Sequence, residues 1–346
     1  MKALVYRGPG DIQLEEMPKP VLCQTTDAVV RILKTTICGS DIHILKGDLP
    51  MVAAGRILGH EGIGEIEETG AGVSLFRQGD RVVISCITAC AKCDNCRRGM
   101  PSHCESGGWI LGNTIDGTQA EFVRIPFADT RLYHIPENAD DDAMVMLSDI
   151  LPTGYECGVL NGGVKPGDTV AIVGAGPVGL AALLTTQFFA AAKIIVIDID
   201  DNRLEVAKQF GATEVINSKY GKAVEKIMAI TAGQGVDVAI EAVGMVATFG
   251  LCQEIVGAGG HIANIGVHGA SVTLHLEKLW SQNITITTQL VDAVTTPLLL
   301  KTIMAGKLQP KRLITHHFAI NDILKAYDTF RNAGREHALK VILTNE

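Results

Sequence analysis

Thr169-Val170-Ala171-Ile172-Val173-Gly174-Ala175-Gly176-Pro177-Val178-Gly179-Leu180 decides the fold. Five residues of β-type, apolar after the first, run straight into G-x-G-x-x-G, and an apolar helical stretch follows. A second strand, Lys193-Ile194-Ile195-Val196-Ile197, ends at Asp198, about twenty residues beyond the glycines. Strand, glycine turn, helix and acid in that order are the setting the motif needs. Gly174 permits the tight turn, Gly176 lets a pyrophosphate approach the backbone, and Gly179 lets helix and strand pack closely. The helix N-terminus, with Pro177 and Val178 in its first turn, faces the phosphates. Asp198 can accept hydrogen bonds from a ribose diol and would repel a 2′-phosphate, so NAD is favoured over NADP. Arg203, five residues on, can soften that preference.

Outward from this unit the pattern repeats. Gly211–Ile216, Val236–Glu241 and His261–Gly266 read as further strands separated by helical stretches, which predicts a doubly wound parallel sheet. The parallel pattern stops near residue 295. Thr296-Pro297 reads as the cap and first position of a helix running to Gly306, and the last strand, Ala338–Leu343, is expected to return to the first domain. Before the glycine turn the character differs. Residues 1–35, Gly62–Glu67 and Arg81–Ser85 are short alternating runs punctuated by Pro18, Pro20 and Gly10, a β-rich pattern. Leu151-Pro152-Thr153-Gly154-Tyr155 starts a helix at the junction. The expected domains are therefore 1–152, 153–294 and a returning segment 295–346.

The β-rich part carries metal-type spacing. Cys90, Cys93, Cys96 and Cys104 place three thiols at steps of three and a fourth eight residues on. Four thiolates can close a tetrahedral shell and leave no open position, so this lobe, about residues 86–105, reads as structural zinc. An iron–sulfur cluster and chance clustering are the other readings for such a set. His103 can compete as a ligand, and Cys86 reads as a buried bystander. Upstream, Cys38-Gly39-Ser40-Asp41-Ile42-His43 and Gly59-His60-Glu61 offer thiol, imidazole and carboxylate, a donor set that suits zinc with one position open. Taken alone, Cys38 and His60 are as readily core side chains.

Bulk properties exclude several classes. The chain has 346 residues, 47% of them apolar and 20% charged, as in a soluble protein of two domains. A formal charge of −8 argues against non-specific nucleic-acid binding. The most apolar run, Leu180–Ile197, is interrupted by Thr185, Thr186, Gln187 and Lys193, so it is no membrane span. No basic-then-apolar leader precedes Lys2–Tyr6, and nine cysteines without one point to reduced thiols and a cytoplasmic location.

Together these features resemble the zinc-dependent alcohol dehydrogenases of the medium-chain dehydrogenase/reductase superfamily, nearest to the bacterial secondary-alcohol branch. The likeness spans essentially the whole chain. It implies an α/β protein: a β-rich GroES-like catalytic domain plus a Rossmann domain with a doubly wound parallel sheet. The family pattern makes Cys38, His60 and Asp149 the catalytic zinc ligands, with Glu61 a carboxylate able to approach the metal. Many relatives carry a cysteine where Asp149 stands, and the exchange preserves charge. Cys157 as third ligand would have to meet the metal from well inside a helix. The resemblance also puts Thr153 beside the nicotinamide, Ile265, Gly266 and Val267 at its carboxamide, Val243 against the cofactor, and Lys340 near its pyrophosphate. Ser40 and His43 match the family's proton relay.

The implied activity is oxidation of a small or medium primary or secondary alcohol to aldehyde or ketone, and the reverse. One catalytic and one structural zinc and NAD would serve it, in a homo-oligomer. Trp109 resembles an aromatic wall of the pocket, and Met51, Ile115 and Leu290 are further candidates. The competing readings are polyol, threonine or formaldehyde-type dehydrogenation on the same scaffold, and a non-catalytic zinc- and nucleotide-binding redox sensor.

Overall fold

A computed structural model describes residues 1–345, which form two compact units, Met1–Asp149 with Asp292–Glu346, and Ile150–Val291. The first unit opens with eight strands: β1 (Lys2–Gly8), β2 (Asp11–Glu16), β3 (Ala28–Thr36), β4 (Arg56–Ile57), β5 (Gly62–Thr69), β6 (Arg81–Ile84), β7 (Phe122–Ile125) and β8 (Leu132–His134). Pairing is antiparallel throughout this part. Alternation along β3 sends Ala28, Val30 and Ile32 into one cluster with Ile66, Val82, Ile84 and Val123, the half-buried pattern expected of an antiparallel sheet. The register sets Thr35 opposite Gly62. The end of β3, leading to Cys38, therefore lies beside the start of β5, which follows His60 and Glu61.

The second unit is a six-stranded sheet of β9 (Thr169–Val173), β10 (Lys193–Asp198), β11 (Glu214–Asn217), β12 (Val236–Glu241), β13 (Val256–Asn264) and β14 (Thr285–Thr288). All its pairings are parallel and the order is β11-β10-β9-β12-β13-β14. That is the doubly wound arrangement expected from the sequence. Its strand order reverses between β9 and β12, the place where such sheets bind a ligand. The expected helix at the junction is Ile150–Thr153, continued as a π-helix over Gly154–Leu160. Close packing goes with that irregularity: a Cβ on Gly154 would lie 2.7 Å from the amide nitrogen of Ala182, in the helix after the glycine turn.

The chain then re-enters the first unit. Thr295 rather than Thr296 precedes the helix Thr296–Met304, so the boundary lies one residue earlier than the sequence suggested. Strands β15 (Ile314–Ala319) and β16 (Lys340–Thr344) pair in parallel, and β16 lies antiparallel to β3, completing a seven-stranded sheet. Between them the helix Ile323–Arg331 turns Ile323, Ala326 and Tyr327 onto Leu4, Ile37, Ile44 and Val341. Among the described residues no helix is long and apolar enough to cross a membrane.

Candidate active site

Local folding places each group. Cys38 is the N-cap of the helix Gly39–Lys46, and Asp41 in its first turn reaches back to accept from the Cys38 amide at 2.9 Å. Gly47, at φ +83°, ends the helix in the left-handed conformation. His60 and Glu61 follow Gly59, whose φ of +94° and lack of side chain are both needed. A Cβ there would meet Gln119 Cγ at 2.7 Å and the Gln119 amide nitrogen at 2.8 Å. Ser148 fixes Asp149: its hydroxyl donates to the Gly62 carbonyl at 2.9 Å and accepts from the Gly62 amide at 3.1 Å.

Cys38, His60, Glu61 and Asp149 each offer a ligand atom, and the four atoms lie within 4.8 Å of one another. Asp149 Oδ2 is 3.2 Å from His60 Nε2 and 3.8 Å from Cys38 Sγ. A tetrahedral zinc with bonds of about 2.0–2.3 Å separates its ligands by roughly 3.3–3.8 Å, so the spacing fits. Charge fits as well. Burial works against an imidazolium at His60, yet Asp149 and Cys38 beside it raise its affinity for a proton well above the usual range. A cluster that draws a proton onto a buried histidine is one that a divalent cation would satisfy.

Glu61 is buried and faces two ways. Its Oε2 accepts from Lys340 Nζ and Thr36 Oγ1, while Oε1 is buried with no partner among the described residues. Lys340, 1% exposed, spends its three donors on Glu61, on Thr36 Oγ1 at 2.9 Å and on the Ile37 carbonyl at 3.4 Å. Burial opposes its charge, but Glu61 and Cys38 keep the ammonium above its usual range. The pyrophosphate contact expected for Lys340 therefore finds its donors engaged on Glu61 and its neighbours.

Three neighbours escaped the sequence reading. Asp41, buried and pushed up by desolvation, turns Oδ1 toward His60 Nδ1 at 3.9 Å. The acid three residues after a helix cap was the available signal. Cys86 is no bystander, since its thiol points at Asp149 Oδ1 at 3.6 Å. Asp48 Oδ2 lies 2.8 Å from His43 Nδ1. Ser40 Oγ, on the same helix as His43, is buried without a partner among the described residues. Trp109 sets its ring edge-on to His60 with centroids 5.7 Å apart. Ile115 instead packs against the Ile66 and Leu111 cluster, and Met51 and Leu290 are exposed.

Cys90, Cys93, Cys96 and Cys104 converge in the same unit with sulfurs within 4.8 Å, and His103 is exposed outside the group. Burial works against a Cys90 thiolate, but the Lys92 and Cys93 amides lower it to about 6, while burial raises Cys96 and Cys104. Four sulfurs that divide charge so unevenly suit a cation shared among them.

In the second unit the glycine turn has the cradle shape. Gly174 takes φ +109°, and a Cβ on Gly179 would fall 1.9 Å from the Gly174 carbonyl oxygen. Gly176 faces open space apart from Arg203 Nη1, 3.9 Å from where its Cβ would be. Asp198 accepts from the Ala175 amide at 2.7 Å through Oδ2 and from Ile199 and Asp200 amides through Oδ1. At the end of β12, Glu241 accepts from the Val243 and Gly244 amides at 3.0 and 2.9 Å. Its carbonyl takes the Ile265 amide at 2.8 Å and the Gly266 amide at 3.2 Å. The loops of Val243 and of Ile265, Gly266 and Val267 are thus tied together at the switch point. Thr153 closes the helix Ile150–Thr153 of this unit.

Comparison with known proteins matches these features. The model of the alcohol dehydrogenase GroES-like domain matches residues 24–137, and that of the zinc-binding dehydrogenase matches residues 177–301. An alcohol dehydrogenase of Cupriavidus necator is 37% identical over 99% of this chain and 98% of its own length. The NADP-dependent isopropanol dehydrogenase of Thermoanaerobacter brockii is 33% identical over 99% of each. Among solved structures, zinc dependent alcohol dehydrogenase 2 from Streptococcus pneumonia, in its apo form, shares 55% identity, covers 100% of this chain and 99% of its own, and superposes with a TM-score of 0.96. Converging thiol, imidazole and carboxylate, a four-thiol lobe, a glycine cradle and full-length similarity to such enzymes lead to one conclusion: the chain belongs to the zinc-dependent alcohol dehydrogenases of the medium-chain dehydrogenase/reductase superfamily.

Proposed function

We propose that this enzyme oxidises small or medium, largely apolar primary or secondary alcohols with NAD, and reduces the matching aldehydes and ketones. The observation that carries this reading is the convergence of Cys38, His60 and Asp149, with the unpartnered Glu61 Oε1 beside them. Zinc bound there would supply Lewis acidity that brings a hydroxyl's pKa down toward neutrality, and the nicotinamide would supply the hydride acceptor.

The chain's own groups do the rest. Cys38, His60 and Asp149 hold the metal, and Glu61, balanced by Lys340, is a carboxylate able to approach it. Ser40 Oγ, buried and unpartnered among the described residues, would accept the alcohol's proton while releasing its own toward His43. His43, half-buried with Asp48 on Nδ1, hands it on toward solvent. Trp109 beside His60 gives the alcohol an apolar wall, which favours hydrocarbon substituents over the hydroxyls of a polyol. Gly174, Gly176, Pro177, Val178 and Gly179 receive the pyrophosphate. Asp198, beside that turn, accepts from the ribose diol and disfavours a 2′-phosphate, with Arg203 the neighbouring cation. Thr153, Val243, Ile265, Gly266 and Val267 meet the nicotinamide end. We further take the protein to be a cytoplasmic homo-oligomer, which sizing in solution tests.

A rate panel of 2-propanol, benzyl alcohol, butane-2,3-diol, sorbitol and L-threonine, each with NAD and NADP, tests the reading. The highest kcat/KM is expected for 2-propanol or benzyl alcohol with NAD. Preference for sorbitol, the diol or threonine would move the assignment to polyol or amino-alcohol oxidation. No turnover of any alcohol, with nucleotide still bound, would return it to a sensor.

A further inference from the structure

A line of buried polar groups runs from the returning segment to the metal ligands. Tyr327, in the helix Ile323–Arg331, donates its hydroxyl to Gln119 Oε1 at 2.8 Å. Gln119 Nε2 donates to the Thr36 carbonyl and to Asp41 Oδ2, both at 3.0 Å. The same Asp41 oxygen takes the Cys38 amide at 2.9 Å, and the other faces His60 Nδ1 at 3.9 Å. Exposure along the line is 1% at Tyr327, 0% at Gln119, 1% at Asp41 and 4% at His60, so water can replace none of these partners.

Each bond depends on the one before it. With Nε2 engaged by a carbonyl and a carboxylate, Gln119 has one amide oxygen left, and Tyr327 satisfies it. Without the hydroxyl, Oε1 becomes a buried acceptor near the apolar cluster of Ile37, Ile44, Ile323 and Val341. Such a group is strongly unfavourable and shifts to find a donor. Any shift draws Nε2 off Asp41, which then holds the Cys38 amide and faces His60 less firmly. Burial pushes the Tyr327 hydroxyl well above its usual range, so it stays a donor at working pH.

We propose that Tyr327 and Gln119 are positioning residues for Cys38 and His60, acting through Asp41. The C-terminal segment would then help to set the geometry of two metal ligands far upstream in the sequence. The proposal rests on the metal reading above. Partners of this remote kind, when they orient metal ligands, change metal affinity by about 10- to 100-fold.

The test is zinc release from the purified holoenzyme to a colorimetric chelator, with the four-thiol zinc as internal reference. In Tyr327→Phe, one zinc per chain should leave about 10- to 100-fold faster while the other keeps the wild-type rate. Cobalt exchanged into the catalytic site should show a shifted d–d spectrum. The NADH dissociation constant should be unchanged. Gln119→Met, which keeps the volume but removes both donors, should act the same way if Tyr327→Phe folds poorly. Because the groups act in series, the double variant should release zinc no faster than Gln119→Met alone. Unchanged release in both variants, equal acceleration of both zincs, or additive effects would overturn the proposal. If the wild type releases only the four-thiol zinc, the metal reading itself fails and the proposal falls with it.

Discussion

Replacing Asp198 by asparagine should compress the proposed preference for NAD over NADP by about two orders of magnitude. The carboxylate accepts three backbone N–H groups, from Ala175, Ile199 and Asp200, and so sits fixed beside the glycine turn. A ribose 2′-hydroxyl donating to it at hydrogen-bond distance would, as a phosphate, place a charge of about −1.5 to −2 roughly 5 Å away. At an effective dielectric of about 40, that repulsion is about 3 kcal/mol, a factor of roughly 100 in affinity. Asparagine removes the repulsion but keeps only one acceptor. Its oxygen can serve Ile199 and Asp200, leaving its NH2 against the Ala175 amide, a mismatch of about 1–3 kcal/mol that both cofactors feel. NAD kcat/KM should therefore fall about tenfold or more, while NADP kcat/KM should rise by up to about tenfold. Initial rates with each cofactor at saturating alcohol measure the ratio, and fluorescence titration with NADH and NADPH separates binding from turnover. A wild type that prefers NADP, or a ratio unchanged in Asp198→Asn, would refute the electrostatic argument.

Three further outcomes follow from the geometry. His43→Gln should lower kcat about tenfold below neutral pH and much less above pH 9, where hydroxide can take the proton directly; an unchanged pH–rate profile would remove His43 from the relay. Lys340→Met leaves the Glu61 carboxylate uncompensated in a buried site and should destabilise the enzyme by about 3–5 kcal/mol, whereas Lys340→Met with Glu61→Gln should recover most of that in chemical denaturation. Full destabilisation persisting in the double variant would contradict the pairing. Cys96→Ser should halve the zinc content and lower the thermal midpoint while leaving NADH affinity intact; loss of NADH binding would show that the thiol lobe does more than hold structure.

The sheet of the second unit was legible because local signals sufficed. An apolar strand, three glycines and an acid at the next strand's end together specify a parallel βα unit, and β9 and β10 lie where that pattern put them. That Asp149 joins Cys38 and His60 was legible only through family resemblance, because Cys38 and Asp149 are 111 residues apart and no periodicity connects them. What lay behind these ligands was not legible. Gln119 meets Asp41 across 78 residues and Tyr327 across 208, and each alone reads as an ordinary loop or helix residue. Lys340 shows the limit from the other side. Its resemblance to a pyrophosphate-binding lysine suggested a cofactor role, and only the register of β16 against β3 reveals that it is buried beside Thr36 and Glu61. The π-helix over Gly154–Leu160 was hidden likewise, because its neighbours Ala181 and Ala182 are remote in sequence.

Cys38, His60 and Asp149 are proposed to hold one catalytic zinc together, separate from the four-thiol zinc. Elemental analysis of the purified wild type beside Asp149→Ala tests it most directly, with NADH titration as a check on folding. About two zinc ions per wild-type chain and about one in the variant are expected, with alcohol oxidation lost and NADH binding retained. One zinc in the wild type, or two firmly held in an active Asp149→Ala enzyme, would contradict it.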